Sequence, residues 1–356
     1  MIRVLGTPVR GGTVTGLLDE SLGALGWDET FEAAWRALNV HQRPTRISRI
    51  DRGWSSLLRH RDDMAALRVR NIGADVAVGD WVVPSGDHER VDHVLARRSA
   101  FVRRASFEGD RAAKHTIAAN IDVVMLVHSL TTPPNQRRLE RELVLAFDSG
   151  ATPVVVLSKA DLCDDPRQTA ASLRAVAPGV AVHVVSGVTT AGVDELRGYA
   201  GANGTIALLG ASGVGKSTLI NALVGERTRH TEDVRFGDQR GRHTTTAAEL
   251  VPIPAGGWLV DTPGVRAVSL WSSGHGIERA FRDIFEVMDH CRFRDCKHDD
   301  EPGCAVRAAV ENGTLTPERL DSMKRLVAEE AALEAEQRVQ DKALDRRGVR
   351  KPRPRH

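Results

Sequence analysis

Long apolar runs are missing from this sequence of 356 residues. No stretch approaches the roughly 18 apolar residues that a membrane-spanning helix needs, and residues 1–16 lack the continuous apolar core of a signal peptide. An excess of charge of one sign is also missing, because 49 Lys and Arg residues are balanced by 47 Asp and Glu residues. We therefore expect a cytoplasmic protein without a membrane contact, and a nucleic-acid partner only if basic residues cluster.

Cysteine and aromatic residues are scarce. Aromatic residues make up 4% of the chain, and four cysteines are too few for a disulfide scaffold. Three of them, Cys291, Cys296 and Cys304, fall within one short stretch, which indicates a metal site in a reducing compartment. The length allows two or three domains with real cores.

Changes in periodicity divide the chain into five parts. Short β-prone runs between Gly- and Asp-rich turns predict an all-β barrel over residues 46–115, after an N-terminal extension over residues 1–45. Apolar strands alternating with amphipathic helices predict a doubly wound, mainly parallel α/β domain over residues 116–268. A helical domain with a Cys/His loop is predicted over residues 269–340, followed by a basic tail over residues 341–356. The segment from Arg346 to Arg355 is expected to be disordered when free.

Individual elements follow from the same patterns. A helix is predicted at 31–38 in the extension. The barrel strands are predicted at 46–50, 66–70 and 76–83. The strands of the α/β domain are predicted at 122–127, 153–157, 181–185, 205–209 and 258–260.

The strongest motif is a phosphate-binding loop, a complete GxxxxGK[ST] pattern between a strand and a predicted helix at 218–224. Its glycines let backbone N–H groups point at phosphate oxygens, Lys216 reaches the β- and γ-phosphates, and the Ser217 hydroxyl binds Mg²⁺. The alternative is a Gly-rich turn that only joins strand to helix. The loop comprises Gly210, Ala211, Ser212, Gly213, Val214, Gly215, Lys216, Ser217 and Thr218.

Two further motifs follow this loop. Asp261 ends an apolar strand and begins Asp-Thr-Pro-Gly, so Asp261 is predicted to orient Mg²⁺ and Gly264 to sense the γ-phosphate. Between the motifs, a polar segment at 241–246 contains Thr245, which would complete the Mg²⁺ shell when the γ-phosphate is present. Taken alone, this Thr run is also typical of a β-strand.

Two loops ahead of the phosphate loop are suited to guanine. The first comprises Ser158, Lys159, Ala160 and Asp161. The Asp161 carboxylate can accept two hydrogen bonds from the base, whereas Ser158 replaces the usual Asn, which predicts weaker hydrogen bonds within the loop. An ordinary helix N-cap is the alternative interpretation. In the second loop, Ser186 and Gly187 follow a strand and are suited to place a backbone N–H against guanine O6.

A cluster of soft ligands lies near the C-terminus with the spacing C-x4-C-x-H-x5-C. It comprises Cys291, Cys296, His298 and Cys304. Three thiolates and one imidazole suit tetrahedral Zn²⁺ and leave no open position for water, so the predicted role is structural. His290 is an alternative fourth ligand, and packing cysteines that cluster by chance are a second alternative. Cys163 stands apart and is expected to pack.

Along the chain, the two base loops come first, then the phosphate loop, and then the two switch motifs. This is the order of a GTPase with a circularly permuted chain. Physics permits this order, because ligands of a doubly wound sheet bind at the carboxyl ends of its strands. With the Cys/His cluster, the sequence resembles the ribosome small subunit-dependent GTPase A family over most of its length. The resemblance implies an OB-fold barrel, GTP hydrolysis stimulated by the small ribosomal subunit, and a part in late maturation of that subunit.

The resemblance also suggests a catalytic residue. Many GTPases place Gln directly after the DxxG motif, but this chain has Val265, and a hydrophobic residue is usual there in the family. His243 becomes the candidate that orients water or senses the transition state, alongside Lys216 and Thr245. A solvated loop residue is the alternative for His243. Without a strong built-in catalyst, the protein is expected to be slow alone.

Basic residues cluster after the barrel, at Arg97, Arg98, Arg103, Arg104, Arg111 and Lys114. If they contact rRNA phosphates, binding weakens steeply with salt; a solvated surface is the alternative. The candidates to stack on bases, with core packing as the alternative, are Trp54, Trp81, Phe101 and Phe107.

The sequence thus predicts a monomeric GTPase with GTP or GDP, Mg²⁺ and one structural Zn²⁺, and with the small ribosomal subunit and its rRNA as partners. A GTPase serving another ribonucleoprotein is the first alternative. An RNA-binding assembly protein with a structural nucleotide site is the second.

Overall fold

The computed structural model describes residues 20–51, 53–62, 67–72, 74–104, 114–133, 135–201, 203–225, 248–254, 256–261 and 275–346. Its largest element is an 11-stranded sheet that continues from the barrel into the α/β region. A separate two-stranded hairpin consists of β6 (Ala100–Arg104) and β7 (Lys114–Ala119).

The N-terminal segment contains α1 (Glu20–Gly23) and α2 (Glu29–Ala37), close to the helix predicted at 31–38. Asp28 caps α2, because its carboxylate accepts hydrogen bonds from the Thr30 and Phe31 amides at 3.0 and 3.3 Å. Trp27 and Phe31 are buried against Trp81 of the barrel. This part of the extension therefore belongs to the core.

The barrel consists of β1 (Thr45–Asp51), β2 (Trp54–Leu58), β3 (Leu67–Arg70), β4 (Trp81–Pro84) and β5 (Val91–Val94). Strand β1 pairs with both β2 and β4, β2 pairs with β3, and β4 pairs with β5, all antiparallel. A parallel bridge between Arg70 and Arg90 connects the end of β3 to the start of β5. The five strands are thus connected in the ring order β1-β2-β3-β5-β4.

The strand predicted at 76–83 was wrong in its first half. Gly79 has a φ of +89°, and the Asp80 carboxylate accepts a hydrogen bond from the Ala77 amide at 2.7 Å. This tight turn interrupts the β-prone run, so that only Trp81–Pro84 forms a strand. Strands β2 and β5 were not among the predicted elements.

The α/β region contains β8 (Val123–Ser129), β9 (Thr152–Ser158), β10 (Ala181–Val184), β11 (Thr205–Gly210), β12 (Glu249–Pro252) and β13 (Trp258–Asp261). The order is β10-β9-β8-β11-β13-β12, parallel except for β12, and the five predicted strands lie within two residues of the observed ones. Strand β12 also pairs with β1, so the barrel and the α/β region share one sheet.

Helices cover both faces of this sheet. They are α3 (Gln136–Ser149), α4 (Pro166–Val176), α5 (Val193–Gly198) and α6 (Lys216–Val224). Alternate residues of β8 enter two different apolar clusters, with Val124 and Leu126 in one and Met125 and Val127 in the other. Burial on both faces explains why these strands are continuous apolar runs in the sequence.

The C-terminal region contains α7 (His275–Ala280), α8 (Arg282–Met288), α9 (Ala305–Glu311) and α10 (Pro317–Arg346). The buried guanidinium of Arg319 on α10 pairs with Glu140 of α3 and Asp283 of α8, which anchors these helices to the α/β region. Among the described residues, no helix combines the length and the apolarity that crossing a membrane requires.

Candidate functional site

The predicted nucleotide-binding motifs meet at one edge of the sheet. Strands β9, β10, β11 and β13 are parallel, so their carboxyl ends lie at the same edge. That edge carries the first base loop after β9, the second after β10, the phosphate loop after β11, and Asp261 at the end of β13. The fold therefore brings together motifs that are up to about a hundred residues apart in the chain.

The phosphate loop runs from Gly210 to the first turn of α6. A Cβ atom on Gly210 would lie 2.4 Å from the Val127 carbonyl oxygen, so only glycine fits beside β8. Gly215 precedes α6 with a φ of +98°, a left-handed conformation that also favours glycine. The Lys216 ammonium donates hydrogen bonds to the Gly210 carbonyl at 2.8 Å and to the Ala211 carbonyl. Lys216, which is predicted to contact the phosphates, thus bonds to carbonyl groups of its own loop in this structure.

The polar residues that follow Lys216 occupy the first turn of α6. Ser217 and Thr218 are exposed at this helix end. Because backbone N–H groups and positive dipole potential face outward at a helix N-terminus, the turn is suited to an anionic ligand.

The first base loop is tied to the phosphate loop by Ser158. Its buried hydroxyl faces two carbonyl acceptors, His128 of β8 at 3.1 Å and Val214 of the phosphate loop. The stem of Lys159 also approaches this loop, since a Cβ atom on Gly215 would lie 3.7 Å from Lys159 Cε. The sequence predicted that Ser158 weakens the hydrogen bonds within its own loop. The structure adds a hydrogen bond from Ser158 to the phosphate loop, which the sequence did not reveal.

The two base loops are joined to each other by Ser186 and Asp161. The buried Ser186 hydroxyl donates a hydrogen bond to Asp161 Oδ1 at 2.5 Å and accepts bonds from the Val188 and Thr189 amides at 3.2 and 3.1 Å. The Ala160 amide donates to the Val185 carbonyl at 3.1 Å. Asp161 itself is exposed, so its carboxylate is held at the protein surface.

Gly187 brings the second base loop against α6. A Cβ atom on this residue would lie 3.2 Å from the Leu219 amide nitrogen and from Thr218 Cγ2. This spacing leaves little room for a side chain, and it places the second base loop beside the helix that begins at the phosphate loop.

The switch motifs are placed only in part. Asp261 is half-buried at the end of β13, and its backbone lies opposite Glu249 of the antiparallel strand β12. On its other side, β13 pairs with β11, the strand that leads into the phosphate loop. His243, Thr245 and Gly264 lie outside the described residues. The structure therefore positions Asp261, the one carboxylate predicted to bind Mg²⁺, but not the rest of the two switch motifs.

The four predicted metal ligands lie together. The ligand atoms of Cys291, Cys296, His298 and Cys304 are all within 4.8 Å of one another. His298 Nδ1 lies 3.7 Å from Cys291 Sγ and 3.4 Å from Cys304 Sγ. Tetrahedral Zn²⁺ with Zn–S of about 2.3 Å and Zn–N of about 2.1 Å places neighbouring S and N ligands about 3.6 Å apart. The spacing therefore fits a tetrahedral metal ion.

Local electrostatics favour the metal-binding form at two of the four ligands, whereas burial raises the pKa of Cys296 to about 11. Burial, together with the positive charge of Lys324, lowers the pKa of His298, which keeps its imidazole neutral. Burial raises the pKa of Cys291, but hydrogen bonds from the Val306 and Ala305 amides outweigh it and lower the pKa below its usual range. A neutral imidazole and an accessible thiolate are the forms that bind a metal.

The alternative ligand His290 has a different environment. Its Nδ1 lies 3.1 Å from the Glu286 carbonyl oxygen one turn earlier, and the cluster found in the described part of the chain contains His298 rather than His290. Cys163 is half-buried and packs against the main apolar cluster, as expected.

The structure separates the aromatic candidates for base stacking. Trp81 and Phe101 are buried, and Phe107 lies outside the described residues. Trp54 on β2 is 36% exposed, and the guanidinium carbons of Arg68 and Arg70 on β3 lie 5.5 and 5.1 Å from its ring centroid. Sequence reasoning missed these two arginines, although their alternation with Val69 marks them as outward residues of a strand.

The basic cluster after the barrel is partly structural. Arg97 contacts the buried Asp80 carboxylate at 2.7 Å, and Arg98 contacts Asp28 at 2.5 Å. Both side chains thus neutralise internal carboxylates, which counts against a role in phosphate contact. Arg103, Arg104 and Lys114 lie on the β6–β7 hairpin, and Arg111 lies outside the described residues.

Comparison with known proteins agrees with this geometry. A profile of the RsgA GTPase family matches residues 94–271. The chain is 42% identical over 279 residues to Small ribosomal subunit biogenesis GTPase RsgA 2 of Vibrio parahaemolyticus, covering 78% of this chain and 77% of that protein. It is 41% identical over 319 residues to Small ribosomal subunit biogenesis GTPase RsgA of Streptomyces coelicolor, covering 87% and 86%.

Solved structures show the same relationship. The crystal structure of YjeQ from Thermotoga maritima has a TM-score of 0.59 at 26% identity, covering 81% of this chain and 98% of that one. YloQ, described as a circularly permuted GTPase, has a TM-score of 0.57 at 26% identity, covering 82% and 96%. From the motif order, the shared sheet edge and these similarities, we conclude that the chain belongs to the RsgA GTPase family and is a circularly permuted GTPase.

Proposed function

We propose that this protein hydrolyses GTP and acts as a late maturation factor of the small ribosomal subunit, as a cytoplasmic monomer that binds the subunit's rRNA. The hydrogen bonds that join both base loops and the phosphate loop to one another are the observation that supports a guanine nucleotide site most directly. The relatives named for small-subunit biogenesis support the partner.

In the proposed site, the loop at 210–218 binds the phosphates and Lys216 turns from its loop carbonyls toward the β- and γ-phosphates. Asp161, held by Ser186, accepts hydrogen bonds from guanine, and the Lys159 stem covers the base. Gly187 stands beside the phosphate-loop helix, where its loop faces the base.

The proposed Mg²⁺ ligands are Ser217, Asp261 and Thr245, with Gly264 sensing the γ-phosphate. Hydroxyl and carboxylate oxygens are the hard donors that suit this ion, and Ser217 and Asp261 follow adjacent strands. Bound Mg²⁺ would neutralise charge on the phosphates. His243 would orient the attacking water, and contact with the small subunit would order the segments that contain Thr245 and Gly264.

We propose a structural Zn²⁺ held by Cys291, Cys296, His298 and Cys304. The sulfur-rich donor set fits this metal. Nδ1 of His298 faces the Cys291 and Cys304 sulfur atoms, so Nδ1 is the ring nitrogen that would bind the metal. The metal would hold the loop between α8 and α9 in a fixed shape.

For the barrel we propose an OB-fold within residues 46–115 that binds rRNA. The ring order β1-β2-β3-β5-β4 supports this assignment. OB-folds bind oligonucleotides on the face of strands 2 and 3, which is where Trp54 lies between Arg68 and Arg70. The proposed domains are residues 1–45, 46–115, 116–268, 269–340 and 341–356. Helix α10 continues to Arg346, so it crosses the proposed boundary between residues 340 and 341.

The test is GTP hydrolysis at low salt by the purified protein alone, with small ribosomal subunits, and with large subunits. We expect slow turnover alone and strong stimulation by small subunits only, with Lys216→Ala as the inactive control. Equal stimulation by both subunits would assign the enzyme to another ribonucleoprotein. Absence of turnover in every mixture, despite nucleotide binding, would favour an RNA-binding assembly protein with a structural nucleotide site.

A further inference from the structure

The hydroxyl of Ser158 has one proton but lies close to two carbonyl acceptors. It lies within hydrogen-bond distance of the His128 carbonyl, at 3.1 Å, and of the Val214 carbonyl. A serine hydroxyl carries one proton, so it donates fully to only one of two carbonyls at a time. Because Ser158 is 3% exposed, bulk water has little access to its hydroxyl.

The rest of Ser158 is fixed independently of this hydroxyl. Its backbone pairs with Ser129 of β8, and its carbonyl accepts a hydrogen bond from the Leu130 amide at 3.0 Å. The side chain is therefore free to act as a connection between two loops while the strand stays in place. Of its two acceptors, Val214 belongs to the phosphate loop and His128 to a strand of the sheet.

The base-recognising carboxylate is held by a separate set of groups. Asp161 accepts a hydrogen bond from Ser186, which is fixed by amides of its own loop. No described hydrogen bond joins the Ser158 hydroxyl to this set. A change at Ser158 should therefore alter how the two loops hold together without altering which base is recognised.

We infer that Ser158 is a positioning residue that ties the first base loop to the phosphate loop, and that its single proton sets how fast guanine nucleotide leaves. The inference rests on the nucleotide site proposed above. A nucleotide spans both loops, so a weaker tie lets them separate more easily and speeds release. An asparagine has two amide protons and can serve both carbonyls, so it should slow release.

The test is dissociation of fluorescently labelled mant-GDP from the full chain with Mg²⁺, followed by stopped flow. One neutral hydrogen bond corresponds to a change of about threefold to tenfold, so Ser158→Ala should speed release by that factor. Ser158→Asn should slow release to a similar extent. Ser158→Thr keeps the hydroxyl and should stay within about twofold of the parent protein.

Ser129→Ala is the matched control. This hydroxyl ends the neighbouring strand, but it bonds to the hydroxyl and amide of Thr131 in its own loop, at 2.7 and 3.2 Å. Release should therefore be unchanged. A second readout is the ratio of GDP to XDP affinity, which Ser158→Ala should leave unchanged and Asp161→Asn should lower.

Three outcomes separate the possibilities. Equal release rates for Ser158→Ala and the parent protein, with the melting temperature retained, would overturn the inference. A changed GDP to XDP ratio in Ser158→Ala would also overturn it, because it would place the hydroxyl in base recognition. If the parent protein does not bind mant-GDP, the proposed nucleotide site itself fails.

Discussion

Replacing Arg319 with alanine removes a buried charge from the contact between the C-terminal helices and the α/β region. The side chain is 5% exposed and donates to both Asp283 oxygens at 2.6 and 2.7 Å. It also donates to Glu140 at 3.1 Å and to the Ala280 and Val176 carbonyls at 2.8 and 3.0 Å. One residue therefore joins α3, α4, α7 and α8 to α10.

The expected cost comes mainly from Glu140. This carboxylate is 1% exposed, and its second oxygen already lacks a hydrogen-bond partner within the described ranges. Removing one partner of a buried ion pair typically costs about 3 to 5 kcal/mol, because the other charge stays buried without compensation. At about 1.3 °C per kcal/mol for a chain of 356 residues, Arg319→Ala should lower the melting temperature by about 4 to 7 °C.

The neighbouring pair of Arg282 and Glu286 supplies a matched control. These side chains are 79% and 62% exposed at a separation of 2.7 Å, so Arg282→Ala should cost only about 0.3 to 0.5 kcal/mol. Differential scanning calorimetry of both variants measures the difference. A further variant, Arg319→Ala with Glu140→Gln, removes the unpaired charge and should recover more than about 1 kcal/mol.

Two results would refute this reasoning. If Arg319→Ala melts within about 2 °C of Arg282→Ala, the buried network contributes little stability. If Glu140→Gln recovers nothing, the uncompensated carboxylate is not the source of the cost.

Three other expectations concern function. Trp54→Ala should weaken binding to small ribosomal subunits by about tenfold, the effect of losing one stacked base, while Trp54→Phe should retain most binding; equal affinities in a filter-binding assay would exclude this face. Cys304→Ser should lose zinc, measured by plasma mass spectrometry, and fresh parent protein with less than about half a zinc per chain would contradict the site. His243→Ala should keep nucleotide affinity but lose most subunit-stimulated turnover, and unchanged stimulated turnover would reject its role.

Much of the fold could be predicted from local sequence patterns. Residues buried on both faces form uninterrupted apolar runs, so the strands that end at Ser158 and Gly210 were visible without any tertiary information. The barrel was harder to predict, because strands such as Leu67–Arg70 and Val91–Val94 mix polar with apolar residues and form no continuous apolar run. The turn at Gly79 and Asp80 shows the limit, since a side-chain bond to the Ala77 amide broke a run with strong β propensity.

The same contrast holds for the basic residues. Clustering in the sequence singled out Arg97 and Arg98, but both pair with carboxylates that folding brings beside them. Trp54 and its two arginines come from neighbouring strands, so their juxtaposition depends on register. Composition cannot distinguish an arginine that neutralises a buried aspartate from one that faces solvent.

The sequence by itself determined the motif order, and with it the circularly permuted GTPase family that the comparisons confirm. It could do so because each motif is a short contiguous segment whose chemistry depends on local spacing. Only the tertiary structure decided that Ser158 reaches the phosphate loop and that Ser186 holds Asp161. Those bonds join residues 56 and 25 positions apart, and parallel strand pairing, which no local pattern encodes, brings them within reach.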